Sequence, residues 1–306
     1  MIVVAGEALI DLVLDPDGRL MPFCGGGPFN TARALALLGQ PAGFLGCLSD
    51  DAFGQRLRRR LAEDGVDPST AVASHLPTTL AVAELASGDG SARYRFYTEG
   101  TSAPSLTAPE ALAALPPASD LDWLHVGTLG LVLEPIAETM LAVLRAAAAG
   151  EALVMLDPNI REALIDDRAG YIARLELVLE RTDVVKASAE DIAWLVPGVP
   201  PADGAAELLR RGPSAALVTR GAQGALVVTR QDVVTVPAVP VDVIDTIGAG
   251  DAFGAGFIAW WREHGLGRGE LADPGALGAA AAFACLVAAR TCERPGATPP
   301  RMPVSG

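Results

Sequence analysis

Short, unbroken apolar runs recur along the chain at residues 2–5, 43–47, 123–126, 153–156, 184–185 and 216–218. They are continuous rather than alternating, the pattern of strands buried on both faces. Stretches with helical spacing separate most of them. This alternation predicts an α/β fold, a mostly parallel central sheet covered by helices on both sides in three α/β/α layers. Residues 30–38 carry apolar side chains at helical spacing and stop at Gly39, a suitable C-terminal cap. A further helix is predicted from Gly248-Ala249-Gly250 through Trp261.

Two stretches, about 9–23 and 78–98, break the rhythm. Their turns, Asp15-Pro16-Asp17-Gly18 and Ser87-Gly88-Asp89-Gly90, predict hairpins. The second is aromatic and basic (Arg93, Tyr94, Arg95, Phe96, Tyr97), which places the pair as a small β lid over a cleft, or as an edge extension of the sheet. Neither a repeat nor a long linker divides the chain, so residues 1–306 are expected to form a single domain.

Composition narrows the chemistry. Half of the 306 residues are apolar, ordinary for a soluble globular chain. The net charge of −14 argues against nucleic acid or an anionic membrane as partner, since neither is attracted over such a surface. Of 23 basic residues only Lys186 is a lysine, so the lysine of a G-x-x-x-x-G-K-[ST] phosphate loop is missing. Any anionic substrate must be captured locally by other means. Four cysteines (Cys24, Cys47, Cys285, Cys292) at irregular spacing fit the reduced thiols of a cytoplasmic protein rather than a disulfide frame or zinc site. The start, Met1-Ile2-Val3-Val4-Ala5-Gly6-Glu7, lacks the basic segment of a secretion signal, and no apolar run is expected to approach the roughly 20 residues that span a bilayer.

The strongest chemical signal is Asp245-Thr246-Ile247-Gly248-Ala249-Gly250-Asp251. Its glycines let the backbone turn tightly, so that successive N–H groups point at one spot as a helix begins. Such a turn holds a phosphoryl group without lysine, and the positive end of the helix dipole adds to it. Asp251, in the first turn, would stand beside the anion and take a proton from an attacking hydroxyl. Helix capping is the plain alternative for an Asp at this position. The Gly-Ala-Gly turn, the preceding Asp245-Thr246 and the small Ala255 and Gly256 weigh toward catalysis. A dinucleotide site is disfavoured, because Gly254 rather than a glycine three residues on follows Gly250, and the motif lies near the C-terminus.

These residues make the chain similar to the ribokinase or PfkB-type carbohydrate kinases, whose C-terminal signature is D-T-x-G-A-G-D. The likeness extends over nearly the whole chain. Cys24-Gly25-Gly26-Gly27-Pro28-Phe29-Asn30 resembles the family's G-G-x-P-x-N segment, in the form closest to fructokinases and 2-keto-3-deoxygluconate kinases. The resemblance implies a ribokinase-like fold with a β-sheet lid and a set of site residues in the same order. Asp11, with Gly26, Gly27 and Asn30, would hold sugar hydroxyls; a turn Asp is the other reading. Asp157-Pro158-Asn159-Ile160-Arg161 resembles D-P-N-x-R, in which the Arg faces substrate or phosphate, a surface salt bridge being the alternative. Tyr94, Arg95 and Tyr97 resemble lid contacts to substrate, and residues 125–128 a substrate-side segment in which His125 itself reads as structural.

On the nucleotide side, Lys186-Ala187-Ser188-Ala189-Glu190 takes the place of the N-x-x-E segment, with Ala187 where ribokinases carry Asn. Glu190 would help place the water shell of Mg²⁺ on ATP, or simply be an exposed carboxylate starting a helix. Thr219, Arg220, Gly221 and Gly224 resemble the strand and turn that contact nucleotide, with Asn159, Arg161, Lys186, Gly248 and Gly250 completing the set. Cys285 stands where ribokinases place an Asn near the adenine.

The expected activity is ATP-dependent phosphorylation of a primary hydroxyl on a hexose or hexose-like acid. Asp251 takes the proton, the Gly248, Ala249 and Gly250 N–H groups stabilise developing charge, and Asp245, with Asp11, Gly27, Asn30 and Arg161, orients the sugar. Fructose is the first acceptor and 2-keto-3-deoxygluconate the second, whose carboxylate Arg95, Tyr94 and Tyr97 would suit; a nucleoside is third. A non-catalytic sugar or nucleotide sensor is the reading from a different class, and an intact Asp251 beside an intact turn speaks against it. The resemblance also implies activation by a monovalent cation such as K⁺. An apolar exposed lid predicts a homodimer through the lids.

Overall fold

Alternate residues of the central strands point to opposite sides, and this decides where the helices pack. The computed structural model describes residues 1–14, 18–85 and 92–304. Numbered in chain order, the main sheet runs β4 (Ala42–Leu45), β1 (Ile2–Ala5), β9 (Trp123–Gly127), β10 (Leu153–Asp157), β11 (Val184–Ser188), β12 (Ala215–Thr219), β13 (Ala225–Val228) and β14 (Val233–Val236). From β4 to β12 every pairing is parallel, and the β13–β14 hairpin closes one edge antiparallel.

In β1, Ile2 and Val4 enter one core while Val3 and Ala5 enter the other. The first core is covered by α1 (Gly27–Leu37), α2 (Ala52–Asp64), α8 (Ala249–Glu263) and α9 (Pro274–Cys292). The second is covered by α3 (Ala108–Ala114), α4 (Ile136–Ala147), α5 (Arg168–Leu179), α6 (Ala189–Leu195) and α7 (Pro201–Leu209). The three-layer sandwich expected from the apolar runs is therefore the architecture observed. Each fully buried Leu, Ile or Phe in these cores contributes about 1.5–3 kcal/mol, which keeps the sheet rigid beneath the site.

The two irregular stretches pair with each other. β2 (Leu9–Leu14) lies between β3 (Leu20–Gly25), antiparallel, and β7 (Leu80–Leu85), parallel, and β8 (Ala92–Tyr97) completes a separate four-stranded sheet. It is a second sheet and not an extension of the first. The central residues of both predicted turns, 15–17 and 86–91, lie outside the described residues.

Some boundaries differ from the sequence reading for physical reasons. The apolar run 43–47 divides, because the chain leaves the main sheet after β4 and β5 (Cys47–Ser49) pairs with β6 (Val72–Ser74) instead. α1 starts at Gly27, with Pro28 suited to a first helical turn. One expectation is corrected outright: α9 has 19 residues with mean hydropathy 1.6, long and apolar enough to cross a membrane by length and composition. Here its small side chains press against α8. A Cβ on Gly256 would lie 3.0 Å from Ala284 Cα, and Leu277, Ala280, Ala281 and Val287 are fully buried in the first core.

Candidate active site

Strand parity carries polar chemistry to the carboxyl ends of the central strands. His125 of β9, Asp157 of β10 and Lys186 of β11 all fall on the α8 side of the sheet, and all are buried. Lys186 Nζ donates to Asp157 Oδ2 at 2.6 Å. The same ammonium stands under the start of α8, since a Cβ on Gly250 would be 3.0 Å from Nζ. Burial pulls Lys186 toward the neutral form, but the Asp157 charge and hydrogen bond, with Asp251 and Asp191 behind them, outweigh it and hold the amine charged. His125 is pushed down to about 3 by burial and by Lys186, so its imidazole is neutral, as befits a structural residue.

α8 opens on Gly248, whose φ of 76° is the left-handed conformation that a β-carbon disfavours. A Cβ there would also lie 2.6 Å from Ala297 Cβ. The turn is braced from behind by Asp245, whose carboxylate accepts from Ile247 N at 3.0 Å and from Gly296 N at 2.8 Å. Ala249 N donates back to Thr246 O at 3.2 Å, and the next N–H groups of the helix start, which have no acceptor within the helix, are presented to whatever lies in front. Asp251 follows in this first turn, 8% exposed, with Oδ2 accepting from Asn30 Nδ2 of α1 at 2.9 Å. Burial raises its carboxyl above the usual range, opposed by Asn30, Lys186 and Arg161.

Gly27 packs into the middle of this group. A Cβ would meet Thr128 Cγ2 at 2.7 Å, Asn159 Nδ2 at 3.4 Å and Asp251 Oδ1 at 3.4 Å. Thr128 (φ 53°) and Asn159 (φ 37°) are the non-glycine residues with positive φ among the described residues, and both flank this spot. Backbone held in that region costs about 1–3 kcal/mol per residue and concentrates where function dictates geometry. Glu7, just beyond β1, holds the arrangement: its carboxylate accepts from Thr128 Oγ1 and, at 3.2 Å, from Gly27 N. Burial lifts Glu7 to about 7 and Asp11 to about 6; Arg161 pulls both down, and Asp251 pushes Asp11 further up.

One cavity of about 950 Å³ joins these groups. At one end Asp11, Gly26, Gly27, Asn30, Arg161 and Asp251 line a polar chamber. At the other, Thr219, Gly221, Gly224 and Cys285 line an apolar slot with Val239, Val241 and Ala288. Gly248, Ala249 and Gly250 line the same cavity, as do Asn159 and Lys186. Arg161 is exposed, its guanidinium donating to Asn159 Oδ1 at 2.6 Å.

Other residues singled out from the sequence lie apart from this cavity. Asp245 stands behind the turn rather than in it. Arg220 donates to Gln223 O at 3.2 Å within its own loop. Arg95 and Tyr97 are exposed and line a smaller cavity of about 330 Å³ with Phe96, Ala163 and Leu164, and of the three strand residues Phe96 also reaches the main one. Tyr94 lies on β8, and its side chain is outside the described residues. Glu190 is exposed in the first turn of α6, and it is the adjacent Asp191 that lines the cavity, with its oxygens accepting from Ile160 N, Ser188 N and Ser188 Oγ.

Glu7, Thr128, Phe96 and Asp191 were not picked out as site residues from the sequence. Asp191 had a readable signal in Ser188-x-x-Asp191, a capping box. Thr128 lay within the segment 125–128 read as substrate-side, but its contact with Glu7 had no signal, because their proximity arises only when β1 and β9 pair.

A family model for pfkB family carbohydrate kinases matches residues 1–304. The chain is 39% identical over 272 residues to a fructokinase of Rhizobium leguminosarum bv. trifolii, covering 87% of this chain and 81% of that one. Its fold is similar to that of a Xylella fastidiosa fructokinase with bound ATP, with a TM-score of 0.89, 30% identity and coverage of 98% and 95%. It is also similar to a double mutant of the Vibrio cholerae O395 fructokinase bound to fructose, ADP and potassium ion, with a TM-score of 0.85, 26% identity and coverage of 97% and 93%. The chain belongs to the pfkB family of carbohydrate kinases.

Proposed function

We propose that the protein transfers the γ-phosphoryl group of ATP to the primary hydroxyl of fructose. The observation that carries this reading is a buried carboxylate, Asp251, in the first turn of α8, between a carboxylate-lined chamber and an apolar slot within one cavity. Similarity to fructokinases of several species supports the choice of sugar.

In this reading Asp11, Asn30 and the Gly26–Gly27 backbone hold the sugar hydroxyls, and Arg161 balances the carboxylates around them. Asp251 receives the proton of the attacking hydroxyl. The N–H groups of Gly248 and Gly250 meet the negative charge that builds on the moving phosphoryl group, that of Ala249 being held by Thr246 O, and Lys186 adds a fixed positive charge beneath them. Asp245 acts from behind, by fixing the turn. The rate arises from this preorganisation, since phosphoryl transfer asks little covalent chemistry of a protein. Thr219, Gly221, Gly224, Asn159 and Cys285, which line the cavity, serve the nucleotide.

Among the described residues no cluster of three or more His, Cys, Asp or Glu stands ready to hold a metal. Mg²⁺ would arrive on the ATP phosphates and keep most of its waters, with Asp191, which lines the cavity, and the adjacent Glu190 as outer-shell acceptors. Its chemistry there is to neutralise phosphate charge. The potassium ion bound by the Vibrio cholerae O395 fructokinase supports activation by a monovalent cation. Exposed Leu14, Leu20, Met21 and Phe23 cluster on the β2–β3 hairpin, which supports a homodimer through the lids. The net charge and reduced cysteines fit a cytoplasmic enzyme.

2-Keto-3-deoxygluconate is the less favoured acceptor, because Arg95 and Tyr97, which would meet its carboxylate, face a separate cavity. An acceptor panel of fructose, 2-keto-3-deoxygluconate, ribose and nucleosides, read by ADP release, tests the proposal. Highest kcat/KM with fructose is expected; preference for any other member overturns the choice of sugar, and no turnover with any overturns the kinase reading.

A further inference from the structure

Arg33 is an unusual residue to find in the α1 core: only 2% exposed, its guanidinium sits 5.5 Å over the Phe29 ring. Nε donates to Asp64 Oδ2 of α2 at 2.6 Å, and NH1 donates to the carbonyl of Ala297 at 3.0 Å. Asp64 is also paired with Arg60 Nε at 3.1 Å, so it is anchored from two sides. Ala297 is the residue whose Cβ closes over Gly248, and its neighbour Gly296 donates to Asp245 at 2.8 Å. A second strand of contacts ties the same loop down, with Ile244 N donating to Cys292 O at 2.8 Å. The guanidinium thus reaches, through one carbonyl, the backbone against which the anion-facing turn rests.

We propose that Arg33 is a positioning residue for phosphoryl transfer: it ties α2 to the C-terminal loop and so holds the turn at 248–251 in register with Asn30. A forked guanidinium suits this task, because one nitrogen meets the carboxylate while another meets the carbonyl in fixed geometry. A buried charge retained at such a place needs both partners to offset its desolvation. It touches neither sugar nor nucleotide, so its effect appears in the chemical step. A displacement of about 1 Å in such a frame lowers turnover by up to about 100-fold.

The kinetic half of the test rests on the kinase reading above; the structural half does not. Arg33→Lys keeps a cation for Asp64 but loses the fork, and Arg33→Met keeps only the apolar stem. Hydrogen exchange on the ligand-free proteins is expected to quicken at residues 244–251 and 296–297 in both variants, with the main sheet at parent rates. In Arg33→Lys, kcat is expected to fall about tenfold with the sugar KM within about twofold of the parent. Unchanged exchange at 244–251, or acceleration spread evenly over the chain, overturns the proposal. So does an unchanged kcat in both variants. A parent that phosphorylates no sugar overturns the kinase reading instead, and the exchange data still decide the role of Arg33.

Discussion

Asn30 Nδ2 donates to Asp251 Oδ2 at 2.9 Å, joining α1 to α8 across 221 residues of sequence. The bond leaves Oδ1 of Asp251 toward Gly27 and the chamber, and it favours the ionised carboxylate that a base requires. Asp251→Asn is nearly isosteric and removes the proton acceptor. It is expected to lower kcat by about 10²–10⁴-fold with little change in melting temperature, measured by coupled ADP release and calorimetry. Parent-like turnover in this variant would remove Asp251 from the mechanism.

Glu7 makes stability depend on pH in a defined direction. Its carboxyl rises from 4.5 to about 7 on folding because it is buried. The folded state therefore holds its proton where the unfolded chain has lost it, and stability from the neutral form is fully present below about pH 4.5 and lost as pH rises through about 7. Glu7→Gln stays neutral throughout. The stability of the variant relative to the parent is expected to grow by on the order of 3 kcal/mol between pH 4 and pH 8, read from denaturant midpoints. A difference independent of pH would show that Glu7 is ionised on both sides of folding.

Lys186 and Asp157 should behave as a unit. Removing one partner leaves a charge buried without compensation, which costs about 3–5 kcal/mol. Lys186→Met and Asp157→Asn are each expected to destabilise by that order, and the double variant by clearly less than their sum. Additive losses in a denaturant cycle would mean that the two charges are not coupled.

Gly27→Ala tests the chamber itself. The added methyl would crowd Thr128 and reach the edge of Asp251. A rise of at least about tenfold in the KM for fructose, with the KM for ATP within about twofold, is the expected outcome in steady-state kinetics. Equal effects on both substrates would place the disturbance elsewhere.

The apolar β2–β3 hairpin gives a prediction for assembly. Phe23, 44% exposed, is expected to lie within the lid contact. Phe23→Asp should shift a dimer to monomer in sedimentation velocity. A parent that sediments only as monomer removes the lid dimer.

Much of the frame could be read directly. Continuous apolar runs announced the parallel strands because such strands have no polar face, and the glycines of 245–251 announced a tight turn at the start of α8. What stayed hidden depends on convergence. Nothing local marks Thr128 for a left-handed backbone, or Arg33 for a partner at Ala297, 264 residues away. That Phe96 reaches the main cavity while Arg95 and Tyr97 do not emerges only once β8 pairs with β7. α9 reads like a membrane segment because alanine counts as apolar on a hydropathy scale, although its smallness is what lets two helices lie close.

The residues that meet at Asp251 come from opposite ends of the chain: Glu7, Asp11, Gly27 and Asn30 from the first strands and helix, Gly248 and Asp251 from the last part, with Ala297 behind them. A polypeptide still emerging from the ribosome has every strand of its main sheet, through Val236, before Asp251 and before the helices α8 and α9 that cover one face of that sheet. Closing the first core and bringing Asp251 to Asn30 are therefore one late event, and a chain clipped ahead of α8 forfeits both together.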